Sequence, residues 1–426
     1  MQILDFEKLN QSEQELALKR PAISANAGVK TIVEQIIEDV KANGDEALKQ
    51  MAVKFDKVEL NSIKLSDDEL NNLAEQIDDK LKQAIKIAYE NIYKFHKAQE
   101  SKIIEVQTFE GVTCKVLTRA IEKVGLYIPG GLAPLFSTAL MLAIPAKIAK
   151  CKFIALASPA PLHPAIAFVA KLCKVDAVYQ IGGAGAIAAL AYGTQSVQKV
   201  DKIFGPGNAF VTEAKKQVNN HGVAIDMQAG PSEVLVLADE FANARFIASD
   251  LLSQAEHGAD SQAILVCTSE KLAKEVDGEV ALQLEKLSRK EIASKSLAHS
   301  KIILSRDIKH AISISNDYAP EHLIIHTQNP SGLLDDIMHA GSVFLGEYSP
   351  ESMGDYASGT NHVLPTYGFT KSYSSLGLAD FMKRMTVQEL NKEGFKKLGP
   401  VVEILAAAEG LDGHKNAVSL RLESLK

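Results

Sequence analysis

Six short apolar runs follow one another between residues 152 and 346: KFIALASP, AVYQIGG, SEVLVLAD, QAILVCTS, KIILS and GSVFLG. Helical stretches separate most of them. Such alternation predicts α/β layers with a largely parallel sheet, and the spacing permits two sheets. Upstream, roughly the first hundred residues read as helical. VKTIVEQIIEDVKANG puts Val29, Ile32, Val33, Ile36, Ile37 and Val40 on one helical face and ends at Gly44. Ser66 and Glu69 have capping-box spacing. From about Leu376 the pattern returns to helix and closes in a polar tail.

At 426 residues, with 46% hydrophobic and 23% charged, the chain is long enough for two or three domains and ordinary for a soluble protein. A net charge of −7 without a basic stripe speaks against nucleic acid as a partner. The stretch from Val124 to Ala146 is uncharged, but Pro129, Gly130, Gly131, Pro134 and Pro145 break it, so it reads as loop plus short buried helix. The start carries Asp5 and Glu7 and no basic segment, which does not fit a signal peptide. The expectation is a cytoplasmic protein without a membrane partner. Cys114, Cys151, Cys173 and Cys267 lie far apart with no CxxC pair, so they read as small buried hydrophobes rather than disulfides or a thiolate zinc site.

Three glycine-rich turns crowd into one part of the chain: GLYIPGGLAP, YQIGGAGAIAALAYG and FGPGNAFVTEAKKQV. In the second, Gly183, Gly185 and Ala188 satisfy G-x-G-x-x-A, with Asp201 further on. Glycines there let a backbone approach a pyrophosphate at a helix N-terminus, although glycine–alanine turns also serve tight strand–helix packing. Together the three turns would line one edge of a single sheet, as a nucleotide cleft requires.

A second constellation could hold a metal. LLSQAEHGADSQ sets Gln254 and His257 on one helical face, MGDYASGTNHVLP offers Asp355 in a glycine-flanked loop, and AAAEGLDGHKNAV offers Glu409 and His414. Two imidazoles, a carboxylate and an amide oxygen make a mixed N/O set suited to Zn²⁺. No HExxH is present, and Q-x-x-H on a helix is more often surface decoration. The other histidines, His362 among them, have no ligand-like neighbours in the sequence and read as structural or solvated.

SNDYAPEHLIIHT places Glu321 and His322 side by side. In a regular strand they would point to opposite faces, but a loop ending at Pro320 has left the strand period and can aim both at one substrate.

Taken together, GLYIPGG, VDKIFGPGNAFVTEAK, IDMQAGPSEVLVLAD, DLLSQAEHG, NDYAPEHL, GDYASGTNHVLPT, SYSSLGLADFMKRM and EGLDGHKNAVSLR resemble the histidinol dehydrogenases, in order and over nearly the whole chain. The resemblance implies two incomplete Rossmann-like α/β domains with parallel-type sheets, plus small helical N- and C-terminal segments. The expected division is 1–24 for the N-terminal segment, 25–122 with 234–376 for a first domain, 123–233 for an NAD-binding second domain, and 377–426 for a C-terminal segment. It implies Gln254, His257, Asp355 and His414 as ligands of one zinc ion, and Glu321 and His322 as the catalytic pair. Ser232 and Glu409 would join these side chains around L-histidinol, and Tyr127, Gly185 and Asn208 match NAD-contacting positions. The family often has Gln where this chain has Gly185, so one cofactor contact is expected to be lost or passed to backbone. The implied assembly is a homodimer in which the C-terminal segment completes the partner's site.

The implied reaction converts L-histidinol, two NAD⁺ and water to L-histidine and two NADH. His322 would deprotonate the alcohol and Glu321 would activate water for the aldehyde. A zinc hydrolase would leave the glycine turns idle, and a non-catalytic nucleotide binder would leave Glu321 and His322 unexplained. A same-family dehydrogenase of another amino alcohol remains the nearest alternative.

Overall fold

The chain opens on a strand, β1 (Gln2–Asp5), ahead of the short helix Gln11–Ala17, so the start expected to be helical is only partly so. Four residues are too few to show a period, and pairing with a distant strand decides their state. The structure, a computed structural model, describes residues 1–21, 27–130, 134–227 and 230–426. Gly131 and the expected boundary at residues 24 and 25 lie outside the described residues.

Helices Ala27–Asn43, Asp45–Met51, Asp67–Ala74 and Asp79–Lys97 follow. Ser66 and Glu69 form the expected capping box. Of the expected apolar face, Val33, Ile37 and Val40 are buried and Ile32 is exposed, so the stripe is narrower than its spacing suggested. Next comes a hairpin, β2 (Ile104–Phe109) and β3 (Val112–Ala120).

Five short strands then form a wholly parallel sheet: β4 (Lys123–Tyr127), β5 (Phe153–Ser158), β6 (Ala177–Gln180), β7 (Lys202–Phe204) and β8 (Ala224–Ile225), in the order β6-β5-β4-β7-β8. A second parallel sheet uses β9 (Glu233–Ala238), β10 (Gln262–Cys267), β11 (Lys301–Leu304), β12 (His322–His326) and β13 (Ser342–Leu345), with β1 at its edge, in the order β1-β11-β10-β9-β12-β13. In both sheets the order turns back beside the first strand of the unit, the doubly wound pattern of α/β folds. The α/β class and the two parallel sheets agree with expectation.

The expected division groups residues 25–122 with the sheet of 234–376, and the helices over 27–97 pack against the helices that flank the five-stranded sheet. Val33, Ile37 and Leu48 join Ala155, Tyr179 and Ile187 on one face, while Ile85, Ala88 and Ile92 join Leu126, Leu156 and Leu140 on the opposite face. Beyond Leu376 the chain is not all helix: β14 (Met382–Leu390) pairs antiparallel with β3 along its whole length before helices Lys392–Ala408 and Asp412–Glu423. MKRMTVQEL carries alternation too weak to register alone, and the β3 edge supplies the partner that makes it a strand.

The six-stranded sheet is covered on both faces. Val234, Val236 and Leu265 pack with Ile247 and Leu251 of helix Ala244–Ala255, and Leu235, Leu237 and Ile325 pack with Ile312 and Ile314 of helix Ile308–Tyr318. The uncharged stretch gives the buried helix Phe136–Ala149 as expected, but its start, residues 124–127, lies in strand β4 rather than loop, because its neighbours β5 and β7 pair with it. No helix among the described residues is long and apolar enough to cross a membrane.

Candidate active site

Helices that cross between parallel strands run back along the sheet, so the end of helix Ala244–Ala255 arrives at the edge where β9 and β12 begin. Gln254 and His257 therefore come beside Glu233, Glu321 and His322. A cavity of about 410 Å³ opens at the opposite edge of this sheet, lined by Asp239, Thr268, Asp307 and Thr327, and takes no part in this arrangement.

Tyr318 ends the preceding helix, Ala319 turns left-handed at φ 53°, and Pro320 leads into Glu321, which lies just outside β12. The strand period starts only at His322, so both side chains turn into one buried site, at 5% and 3% exposure. One residue fixes both: the Glu233 N–H donates to Glu321 Oε2 at 2.7 Å, and the Glu233 carbonyl lies 3.1 Å from His322 Nδ1. That contact requires the proton on Nδ1, leaving Nε2 as the basic nitrogen. His322 Nε2 is buried without a hydrogen-bond partner and lies 3.5 Å from Asp355 Oδ1, itself buried and unpartnered.

Glu351, from the short helix Glu351–Tyr356, completes the cluster and was missed in the sequence. It is 1% exposed, and His322, Glu351 and Asp355 offer ligand atoms within 4.8 Å of one another. Gln254 turns its amide nitrogen toward Glu351, 2.7 and 3.2 Å from the two carboxylate oxygens. Its oxygen then faces His257 Nδ1 and the Glu233 N–H, each at 3.3 Å, an orientation that sets the amide nitrogen rather than its oxygen against the Glu351 carboxylate. His362 also belongs here: Nδ1 meets the Asp355 carbonyl at 2.8 Å and Nε2 meets Thr138 Oγ1 at 3.0 Å. Thr138 lies in the first turn of the helix that follows β4, so this contact draws the carboxyl edge of the five-stranded sheet to the site. A carboxylate opening the apolar run SEVLVLAD was the one sequence signal for Glu233, and nothing of that kind marked Glu351 or His362.

Burial pushes the carboxyls of Glu321 and Glu351 up to about 8. Burial alone would lower His322, but the carboxylates of Glu351, Glu321 and Asp355 raise its imidazole well above the usual range. Asp355 runs the other way: burial works against its charge, and His322, His362 and His257 hold it low. These groups share protons as a unit. Burial lowers His257, keeping its imidazole neutral and free to ligate.

Gln254 lies 3.3 Å from His257 Nδ1 and Asp355 acts electrostatically on His257, while the ligand atoms gathered within 4.8 Å are those of His322, Glu351 and Asp355. Ser232 lies one residue ahead of β9, at the same edge. Glu409 and His414 are exposed on the C-terminal helical segment and do not join this cluster.

The glycine turns all sit at carboxyl ends of β4, β6 and β7. Gly183, at φ 60°, has open space where a Cβ would point, which fits the close approach of a ligand backbone or phosphate. Gly185 is different: a Cβ there would meet Met51 Sδ at 2.7 Å, so this glycine serves helix packing. Tyr127 is buried and its hydroxyl accepts from the Gly183 N–H at 3.0 Å, and Asn208 caps helix Ala209–Asn219. Asp201 accepts from the Lys123 N–H at 3.0 Å.

Two doubly wound parallel sheets, one with a buried carboxylate–imidazole pair at the head of its strands, define an α/β protein with titratable groups gathered in one buried site. The family model described as histidinol dehydrogenase matches residues 18–422. The chain belongs to that family, and so to the oxidoreductases of histidine biosynthesis. It is 67% identical to the histidinol dehydrogenase of Campylobacter jejuni strain RM1221 and 60% identical to that of Mannheimia succiniciproducens, in each case over all of both chains. The crystal structure of histidinol dehydrogenase from Elizabethkingia anophelis is similar at a TM-score of 0.97 and 48% identity, covering 100% of this chain and 98% of that one.

Proposed function

We propose that the protein oxidises L-histidinol to L-histidine through L-histidinaldehyde, as a cytoplasmic homodimer with one zinc ion per subunit and two NAD⁺ consumed per turnover. The observation that carries this reading is His322, whose Nδ1 is engaged by the Glu233 carbonyl while Nε2 stands buried, unpartnered and directed at Asp355. Such a nitrogen is suited to take the proton of an alcohol as its hydride leaves.

Gln254, His257 and Asp355, with His414 of the partner subunit, would hold zinc, which when bound supplies a template for the imidazole and amine of histidinol. A cation held by Asp355 would offset part of the carboxylate field of Glu351, Glu321 and Asp355 that raises His322, which favours its role as a base. NAD⁺ would supply the hydride acceptor at the carboxyl edge of the five-stranded sheet, where Tyr127 and Asn208 are the matched positions, while the third matched position, Gly185, faces Met51 instead. Glu321, held by the Glu233 N–H, deprotonates the water that adds to the aldehyde. His322 serves again as the hydrate gives up its second hydride. Ser232, with Glu409 of the partner subunit, would hold the remaining polar groups of the substrate. Sharing the site is supported by the exposure of both Glu409 and His414, and by the exposed apolar residues Ile404, Leu405, Leu411 and Leu420 around them.

The test is NADH formation by the purified zinc-loaded protein on adding histidinol, with two equivalents per alcohol expected. One equivalent, or none, would sink the four-electron reading. His322→Asn should impair both oxidations.

A further inference from the structure

We propose that Arg20 is a positioning residue for the acid–base pair, acting through Glu233 and the turn before Glu321; the proposal rests on the dehydrogenase reading above. Glu233 is 2% exposed, and a buried carboxylate at the head of an apolar strand is costly unless it is paired and hydrogen-bonded. Arg20 supplies both bonds of a fork, Nε to Oε1 at 2.5 Å and Nη2 to Oε2 at 3.0 Å, and the Tyr367 N–H adds a third at 2.8 Å. The same guanidinium donates to the carbonyls of Tyr318 at 2.6 Å and Ala319 at 3.2 Å, and lies 4.0 Å over the Tyr318 ring. Those carbonyls belong to the end of a helix, where backbone acceptors have no partner within the helix.

Two elements carry the catalytic pair, and Arg20 grips each of them. It holds β9, whose first residue offers Glu321 an N–H and His322 a carbonyl. It also holds the left-handed turn at Ala319, from which Glu321 and His322 project. Nε and Nη2 together reach the carboxylate and both carbonyls, one Nη2 hydrogen being shared between two acceptors; lysine has the charge but not the planar fork. Loss of Arg20 should therefore loosen both catalytic groups together. A displacement of about 1 Å at reacting atoms costs on the order of a hundredfold in rate.

The experiment compares wild type, Arg20→Ala and Arg20→Lys, each zinc-loaded, in separate assays of histidinol and of histidinaldehyde oxidation, with melting temperature recorded. The expected result is a fall in kcat of about tenfold to a hundredfold for both oxidations by a similar factor, with KM for histidinol within about threefold of wild type. Added guanidinium should restore part of the kcat of Arg20→Ala. If Arg20→Ala does not fold, Arg20→Lys carries the test by the same split between kcat and KM. Wild-type kcat in a folded variant, or a loss that guanidinium does not relieve and that tracks the unfolded fraction, would overturn the proposal. Wild type failing to oxidise histidinol would instead overturn the dehydrogenase reading.

Discussion

Glu233 meets Glu321 backbone to side chain, its N–H donating to Oε2 at 2.7 Å. Because the carbonyl of that same residue lies 3.1 Å from His322 Nδ1, a single peptide register sets the acid and the base relative to each other. The two groups share a support but not a task, and they can be separated experimentally.

Replacing Glu321 by Gln removes the base assigned to water and leaves His322 its carbonyl partner. Histidinaldehyde oxidation should fall by about a hundredfold or more, while histidinol oxidation to the aldehyde level falls far less. Equal losses in the two half-reactions would contradict the division. Burial pushes the Glu321 carboxyl up to about 8, and it is a base only when ionised, so histidinaldehyde oxidation should climb as pH rises through that region. Glu321→Gln should flatten that limb of the pH profile.

Glu351 accepts from the Gln254 amide at 2.7 Å, which turns the amide oxygen away from Glu351 and toward His257. Glu351→Ala should weaken zinc binding by about tenfold to a hundredfold in chelator competition, the usual cost of losing a group that orients a ligand. Stripping the metal from wild type should abolish turnover without a cooperative loss of far-UV circular dichroism, since both cores are closed without it. An unchanged zinc affinity in Glu351→Ala would dissociate this carboxylate from the metal.

Subunit mixing tests where His414 acts. His257→Ala and His414→Ala homodimers should each be inactive. Mixed and reannealed, they should regain activity if His414 reaches the partner, because one site of the heterodimer then has every ligand. A mixture that stays inactive places His414 in its own subunit.

Burial pushes the thiols of Cys151 and Cys173 up to about 12 and that of Cys267 up to about 11, so none of the three supplies a thiolate near neutral pH. Changing all four cysteines to serine or alanine should leave kcat within about threefold of wild type, and a trapped thiohemiacetal would refute a route without covalent sulfur.

Gly341 stands against the catalytic turn: a Cβ there would meet the Glu321 carbonyl oxygen at 2.6 Å, and its N–H donates to Pro320 at 3.0 Å. Gly341→Ala should cost about 1–3 kcal/mol of stability through overpacking and depress kcat more than KM. Thermal melts and steady-state kinetics on the same preparation would show a neutral substitution if the turn can yield.

The sheets were legible because runs such as SEVLVLAD and QAILVCTS have continuous apolar centres, VLVLA and AILVC, as strands buried on both faces do. β1 and β14 were not, since QILD is too short and MKRMTVQEL too polar to declare a strand without its partner edge. The glycine turns read correctly as one sheet edge, yet Gly185 satisfied a spacing rule while facing Met51. Glu321 and His322 were visible through Pro320, which ends the turn ahead of the strand. Glu351, Glu233 and Arg20 were hidden because their importance lies in contacts across the fold, which spacing along the chain does not encode.

The two sheets present opposite ends to one another, the head of one and the tail of the other. At the tail of the five-stranded sheet helices begin, and their free N–H groups favour negative charge; at the head of the six-stranded sheet helix Ala244–Ala255 finishes, and its free carbonyls favour positive charge. Chain direction alone would therefore favour an anionic group at one lip and a cationic group at the other, before any side chain is considered.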